Sequence, residues 1–347
     1  MIRLHISSRA AESAACAAVA ASTFCGLTVD STALHNGAWI SAIIGILPAL
    51  LIASSYQKLR TVNGKTGWAA AALLNLILLG FNGIGTAEIL TDITRSAGYM
   101  ALDRVPEAAL LIPAGLALAW CLSRNGNAVG YSAGVWLRVF PALLLLVAVL
   151  QIPYYHPAWL RPVLGSGWQG VLKGSLLPAG RTAALSCIFL FVDEGENDGG
   201  SPFRAVLLGT GIAALMILLR LMMTPTPRPG TENTWLLRLD SLLANGRAPL
   251  YLQLPMIVIW YAGLLHLLCC SGFNAAALLQ RFAPKLDGRI CVGIVVVAMT
   301  ALSASGILNQ ALIAGILDWR IVPLAAPAVL AVFRIVKGGD PACDRVT

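Results

Sequence analysis

Residues 67–90 read GWAAAALLNLILLGFNGIGTAEIL, an apolar run in which Glu88 is the one charged side chain. A helix rises about 1.5 Å per residue, so about twenty apolar residues cross the hydrocarbon core of a bilayer. This run is therefore long enough and apolar enough to form a transmembrane helix. Because similar blocks recur along the chain, the sequence predicts an all-α polytopic membrane protein.

The composition agrees with this prediction. Of the 347 residues, 58% are hydrophobic and 12% are charged, compared with about 25% charged residues in soluble domains. The formal net charge is +8, but the cations are scattered between the apolar blocks, whereas a nucleic-acid footprint would gather them on one face or arm. These values exclude a soluble globular domain, indicate a lipid bilayer as the surroundings and predict no nucleic-acid partner.

Apolar length predicts ten transmembrane spans. In chain order they are 10–29, 37–56, 67–90, 105–122, 131–150, 174–192, 203–223, 250–270, 290–307 and 321–336. We expect the first span to be retained rather than cleaved as a signal peptide, because Glu12 interrupts it and nine spans follow. Near the start of span five, Gly126, Gly130 and Gly134 recur every fourth residue, which predicts close helix contact.

The loop cations set the expected orientation, since cytoplasmic loops carry an excess of Lys and Arg. The side that holds the N-terminus has 13 such residues against 9 on the other side, so both termini are predicted to be cytoplasmic. The chain is then one membrane domain, 1–347, made of repeat one at about 6–150, an outer interfacial segment at 153–173, repeat two at about 174–337 and a short cytoplasmic tail at 338–347. The interfacial segment is assigned from its aromatic residues, which suit the headgroup boundary.

Signatures of catalysis and of metal binding are missing from the sequence. The four histidines are far apart, no HExxH motif occurs, and no Ser, His and Asp set lies at matching depth. The eight cysteines lie mostly inside the apolar blocks without CxxC spacing, which is typical of small packing residues. We therefore expect neither an enzyme nor a metal or cofactor site.

Polar residues inside the spans are the better guide to function, because burial in hydrocarbon is costly unless the group faces a cavity or a partner. Glu12 lies near the inner end of span one, and Glu88 and Arg181 lie in spans three and six. Glu12 and Arg181 either snorkel to the interface or have a functional partner. Asn75 and Asn82 are seven residues apart on one helix face, where they form either a polar seam or part of a ligand cavity.

Spans one and six each contain a predicted break. The centre of span one has small or hydroxylated residues that provide little bulk to hold a straight helix, namely Ser22, Thr23, Cys25 and Gly26. In span six, residues 178–180 (Pro-Ala-Gly) would interrupt the helical hydrogen-bond ladder. Two broken spans that lie five apart are typical of a 5+5 inverted-repeat transporter with a midplane binding site. Unwound backbone at such a site supplies amides and carbonyls for a zwitterion.

Four stretches carry a family resemblance that covers almost the whole chain. They are ISSR at 6–9, RPVLGSGWQGVLKGS at 161–175, LRLDSLL at 237–243, and VP at 322–323 with Arg334. In this order they resemble the permease-type B subunits of endospore germination receptors, within the amino acid, polyamine and organocation transporter superfamily. The block before span six is the most specific of the four. The resemblance implies a ten-helix inverted repeat of the amino-acid permease type, with broken helices 1 and 6.

The resemblance also implies a function, namely recognition of a small nutrient, usually an amino acid, in the inner spore membrane of an endospore-forming bacterium. The implied partners are a membrane-anchored A-type subunit and a lipoprotein C-type subunit. The implied site comprises Thr23, Cys25 and Gly26 in span one and Gly180, Thr182 and Ala184 in span six, joined by the candidates Asn82, Glu88 and Arg181. Family members tend to carry a Gly-Phe-Glu-like stretch where this chain has residues 184–186 (Ala-Leu-Ser), which implies an unusual substrate or degraded sensing. The alternative function is a stand-alone amino-acid transporter of the same superfamily.

Overall fold

The structure is a computed structural model, and it describes most of the chain. The described residues are 4–25, 35–59, 68–100, 106–124, 126–150, 152, 155–161, 163–164, 166–193, 199–223 and 253–307. Within them the secondary structure is helical apart from one isolated parallel bridge between Ile6 and Val192. The all-α prediction is therefore confirmed for this part of the chain.

The described α-helices follow the predicted spans. They are α1 (Ser8–Ala21), α2 (Ala38–Ile44), α3 (Ile46–Leu59), α4 (Trp68–Met100), α5 (Glu107–Arg124), α6 (Gly126–Leu150), α7 (Gly167–Leu185), α8 (Pro202–Met223), α9 (Gln253–Phe282) and α10 (Gly288–Ala304). Short 3₁₀ helices are found at Ser22–Cys25, His35–Gly37, Pro157–Leu160 and Ser186–Phe191. Each of the first nine predicted spans coincides with described helix, and the tenth, 321–336, lies outside the described residues.

Length and composition make the chain an integral membrane protein. Six described segments are long and apolar enough to cross a membrane, namely Ala38–Tyr56, Ala72–Arg95, Gly126–Leu146, Gly167–Phe191, Pro202–Leu219 and Val258–Phe282. Large apolar side chains such as Leu51, Leu116 and Val297 point outward from the helices and are exposed. In water such a surface would be unfavourable, whereas lipid tails solvate it.

Helix α1 lies at the centre of the packing, against α6, α8 and α9. Its sequence is rich in alanine, and nearly all of its residues are buried. Small side chains let the neighbouring backbones approach closely, as is common between membrane helices. A Cβ atom added at Gly130 of α6 would overlap the Cβ atom of Ala10, and one added at Gly126 would lie 2.7 Å from the carbonyl oxygen of His5. These contacts confirm the close packing predicted from the glycine spacing at both positions.

The N-terminal segment forms backbone hydrogen bonds with the end of span six. The N–H of Ile6 donates to the carbonyl oxygen of Phe191 at 3.2 Å, and the N–H of Asp193 donates to the carbonyl oxygen of Ile6 at 3.2 Å. One turn into α1, the Oε2 atom of Glu12 accepts a hydrogen bond from the N–H of Ser201 at 2.7 Å. Of the two explanations for Glu12, the structure therefore favours a specific partner.

Several helix boundaries differ from the sequence prediction; for example, α4 continues past residue 90 to Met100. Gly45 divides the second predicted span into α2 and α3. A Cβ atom at this position would lie 2.8 Å from the carbonyl oxygen of Ser175 on α7, so the close approach of the two helices requires a glycine. Helix α9 continues past residue 270 to Phe282. Helix α7 begins at Gly167, inside the stretch 153–173 that was expected to lie at the interface.

Candidate ligand-binding site

Span six changes its winding in the interior of the protein. Helix α7 is α-helical through Leu185 and continues as the 3₁₀ helix Ser186–Phe191. A 3₁₀ helix pairs each carbonyl with the third residue onward instead of the fourth, so the hydrogen-bond ladder is rearranged where the two meet. Every residue from Pro178 to Val192 is buried. The change from α to 3₁₀ hydrogen bonding therefore takes place in the core, away from solvent.

The interruption expected at residues 178–180 is wrong, because Pro178 lies inside α7. Proline removes a single N–H donor, and neighbouring helices in membrane proteins commonly re-satisfy the backbone group that this frees. The segment around Gly45 packs closely here, since a Cβ atom at Gly45 would lie 3.3 Å from Cγ of Pro178. The break in span six is thus displaced by about one and a half turns toward the C-terminus. In span one, the corresponding change from α to 3₁₀ geometry occurs at Ser22, as expected from the small residues there.

A buried ion pair joins α4 to α7. The Nη2 atom of Arg181 donates to the Oε2 atom of Glu88 at 2.8 Å, and the two side chains are only 6% and 9% exposed. The Nε atom of Arg181 is also buried, and it has no hydrogen-bond partner among the described residues. Removing two charges from solvent is costly, so a buried pair with an unsatisfied donor is weak evidence for stability. It is instead typical of a functional site within a membrane.

A cluster of neutral polar side chains lies beside this ion pair, between α4 and α9. The Oγ1 atom of Thr86 donates to Oγ of Ser271 at 3.1 Å, and Ser271 donates to the carbonyl oxygen of Asn82 at 2.8 Å. The side chain of Asn82 donates to Sγ of Cys187 at 3.5 Å. All of these residues are buried. Asn82 is thus part of a polar contact between helices, which is one of the two roles that its sequence position suggested.

Asn274 connects this cluster to the change in winding. Its Nδ2 atom donates to the carbonyl oxygen of Leu185 at 3.2 Å and to Oδ1 of Asn82 at 3.3 Å. Cys270 also directs its Sγ atom at the carbonyl oxygen of Leu185, at 3.8 Å. Helices α4 and α9 therefore stabilise the point at which α7 changes geometry.

The structure brings some of the candidate site residues together and leaves others apart. Arg181 and Glu88 are in contact, and Asn82 lies near them on α4 through its link to Cys187 in span six. Thr23 is buried, and its Oγ1 atom donates to the carbonyl oxygen of Ala20 at 2.7 Å and to Sδ of Met216 at 3.5 Å.

The remaining candidates lie in regular helix, at a helix end or outside the described residues. Gly180, Thr182 and Ala184 are buried within the α-helical part of α7, so their amides take part in the helix, and the carbonyl oxygen of Thr182 accepts a hydrogen bond from Oγ of Ser186 at 2.6 Å. Cys25 is the last residue of the 3₁₀ helix in span one. Gly26 lies outside the described residues.

Asn274 and Ser271 were not among the residues predicted from the sequence. Both lie beyond residue 270, where the eighth predicted span ended because the following residues, Ser271 to Asn274, include polar and small ones. The apolar residues of 275–279 (AAALL) were the available signal that the helix continues. Extending span eight over residues 275–279 would have placed Asn274 inside the membrane, where Asn82 was also predicted to lie.

Comparison with solved structures finds the same fold in a membrane transporter. Crystal structures of two variants of a manganese transporter from Eremococcus coleocola match with TM-scores of 0.51 and 0.52, at 14% sequence identity. Each match covers 95% of this chain and 77% of the transporter chain. No protein-family model matches the sequence, and no curated protein matches it. At this level of identity the likeness shows a shared helical fold.

Proposed function

We propose that this protein is permease-like and binds a small nutrient that carries a carboxylate, in particular an amino acid, between α4 and α7. The observation that carries the proposal is the buried contact between Arg181 and Glu88, one turn before span six changes from α to 3₁₀ geometry. The unpartnered Nε–H of Arg181 is the donor that the ligand carboxylate would accept from. A charge-assisted hydrogen bond of this kind is stronger than a neutral one.

The transporter-type fold supports this proposal, since such folds bind their substrates near the bilayer midplane beside discontinuous helices. The proposal includes the ten-helix 5+5 inverted repeat, with spans one and six as the discontinuous helices. Both of these spans change winding in their interior, at Ser22 and at Ser186. A ligand that prefers one arrangement of the repeats would shift the equilibrium between them by its differential affinity.

An amino acid suits this site better than a metal ion does. The described residues include no group of three or more His, Cys, Asp or Glu side chains that could hold a metal ion. Arg181 adds positive charge at the position where a cation would need anionic ligands. Since Glu88 already offsets this charge, the preference rests on the unpartnered Nε–H of Arg181, which a carboxylate accepts from and a metal ion does not use.

We further propose that the protein is the permease-type subunit of a spore germinant receptor, with A-type and C-type subunits as its partners in the inner spore membrane. The family resemblance of four stretches along the chain supports this role. The second candidate is a stand-alone amino-acid transporter, which the transporter fold of the solved structures favours. Sealed liposomes containing the purified protein distinguish the two, because only a stand-alone transporter accumulates labelled amino acid without partner subunits.

Binding by the purified protein in lipid nanodiscs tests the proposed site. We expect at least one of the twenty standard amino acids to bind in isothermal titration calorimetry, and Arg181→Gln to weaken that binding at least tenfold. The matched control is Arg124→Gln, because Arg124 is exposed and stacks over the ring of Trp120 at 4.3 Å. Arg124→Gln should bind as the unmodified protein does.

The single variant leaves Glu88 as a buried charge without its arginine, so folding is checked with a second variant. The double variant Glu88→Gln/Arg181→Gln has no such charge and should fold while still failing to bind. Unchanged amino-acid affinity in a folded double variant would remove Arg181 from the site. If no amino acid binds to the unmodified protein, the proposed function itself is wrong.

A further inference from the structure

Asn274 of α9 is another buried residue with an atom that has no partner among the described residues. The Oδ1 atom of Asn274 accepts no hydrogen bond from any described residue, although Asn274 is fully buried. A buried polar atom in this state costs free energy unless something satisfies it. Such an atom is a candidate contact for a ligand.

The orientation of the Asn274 amide is fixed by its neighbours. The Nδ2 atom donates to two acceptors, the carbonyl oxygen of Leu185 at 3.2 Å and Oδ1 of Asn82 at 3.3 Å. An NH₂ group has two hydrogens, so both are used. Rotating the amide by half a turn would place Oδ1 against these two acceptors. The unpartnered atom is therefore held as an acceptor, and a group that donates hydrogen bonds is required to satisfy it.

The unpartnered atoms of Arg181 and Asn274 have opposite character. Arg181 offers a donor that carries positive charge, and Asn274 offers a neutral acceptor. Arg181 and Leu185, the residue to which Asn274 bonds, are four residues apart on one face of α7. This spacing corresponds to about 6 Å along the helix axis. A ligand that satisfies both atoms must therefore carry an acceptor for Arg181 and a hydrogen-bond donor for Asn274, and the carboxylate and ammonium groups of an amino acid supply these two.

We infer that Asn274 is a binding residue whose Oδ1 atom accepts a hydrogen bond from the ammonium group of the ligand while its carboxylate binds Arg181. This inference rests on the proposed function and deepens it, because it assigns the site to zwitterions and identifies the residue that selects for the amine. Asn274 also holds the carbonyl oxygen of Leu185. Binding of the ammonium group is thereby linked to the point at which span six changes its winding.

The test compares an amino acid with the same molecule lacking its amine. The amino acid that binds most tightly in the calorimetric panel and its deaminated carboxylic acid are titrated into the protein in nanodiscs. The unmodified protein should prefer the amino acid at least tenfold. Asn274→Leu should reduce this preference to about onefold while the deaminated acid still binds. Equal affinity of the unmodified protein for the two ligands would overturn the inference without any variant and would leave the proposed carboxylate site intact.

A matched control removes a different buried polar contact between helices. Ser303→Ala deletes the 2.7 Å hydrogen bond between Oγ of Ser303 and Oγ1 of Thr91, away from Asn274. It should keep the tenfold preference for the amine. If Ser303→Ala loses the preference as Asn274→Leu does, the effect reflects general loosening of the helices and contradicts a role for Asn274.

A free cation is the other source of positive charge that could occupy the Oδ1 position. The titrations are therefore repeated with sodium chloride replaced by choline chloride. The inference expects the amine preference to persist in choline. If the unmodified protein loses its preference for the amine when sodium is removed, a sodium ion and not the ligand amine contacts Asn274. This result would overturn the assignment.

Discussion

Gly130 of α6 lies directly against Ala10 of α1, so that a Cβ atom at Gly130 would overlap the Cβ atom of Ala10. The carbonyl oxygen and Cα of Ala10 are equally close, and backbone cannot move aside as a flexible side chain can. We expect Gly130→Ala to destabilise the protein by about 1–3 kcal/mol, which is the usual cost of overpacking. The melting temperature of the purified protein in detergent measures the effect.

The control for this substitution is Gly80→Ala on α4. A Cβ atom at Gly80 meets no described atom within 4 Å, and alanine is favoured over glycine in helices by about 1 kcal/mol. Gly80→Ala should therefore leave the melting temperature unchanged or raise it. Equal melting temperatures for both variants would contradict the close contact between α1 and α6.

Because Glu88 and Arg181 form a buried pair, we expect the effects of substituting them on the melting temperature to be strongly non-additive. Removing one partner leaves an uncompensated buried charge, which costs about 3–5 kcal/mol. Glu88→Gln alone should therefore lower the melting temperature strongly. Glu88→Gln combined with Arg181→Gln should recover most of the loss, because neither charge remains. A double variant as unstable as the sum of the single variants would mean that the two side chains do not interact.

Glu12 anchors the start of α8. Its carboxylate accepts from the N–H of Ser201, immediately before the first residue of the helix, and lies 3.9 Å from Nε of Arg204. Loss of a capping acceptor costs about 1 kcal/mol. Glu12→Ala should lower the melting temperature, whereas Glu12→Gln, which retains an acceptor oxygen, should lower it less. If alanine and glutamine have the same effect, the hydrogen bond to Ser201 is not what Glu12 contributes.

The orientation in the membrane is tested with reporter fusions in a bacterial host. Green fluorescent protein fused after Thr347 should fluoresce, and alkaline phosphatase at the same position should be inactive, because the C-terminus is predicted to be cytoplasmic. Phosphatase inserted within 153–166, before α7 begins, should be active. The reverse pattern at both positions would show that the excess of loop cations does not set the orientation of this protein.

Hydropathy alone predicted the positions of the described helices, because the length of an apolar run is fixed by the thickness of the bilayer. The ends of the helices were less predictable. Helix α9 continues past Cys270 because Ser271 and Asn274 bond to neighbouring helices instead of to water. The close approach of Gly45 to the backbone of α7 likewise depends on a neighbouring helix, which the sequence of one span does not reveal.

The candidate site was predicted in part. Intramembrane charge identified Glu88 and Arg181 separately, since a charge inside an apolar run is costly whatever its partner is. That the two side chains contact one another follows only from the packing of α4 against α7. The position of the change in winding was predicted from Pro178, but the tertiary contacts of Leu185 decide it. Predicting the role of Asn274 would have required both the packing of the helices and the contacts of Leu185.

The parallel bridge between Ile6 and Val192 has a mechanical consequence. It attaches the residues that lead into α1 to the residue that follows the 3₁₀ helix Ser186–Phe191. The two discontinuous spans are therefore linked at their ends as well as through side chains. A displacement of the 3₁₀ helix would therefore pull on the beginning of α1 through two backbone hydrogen bonds, separately from the proposed binding site.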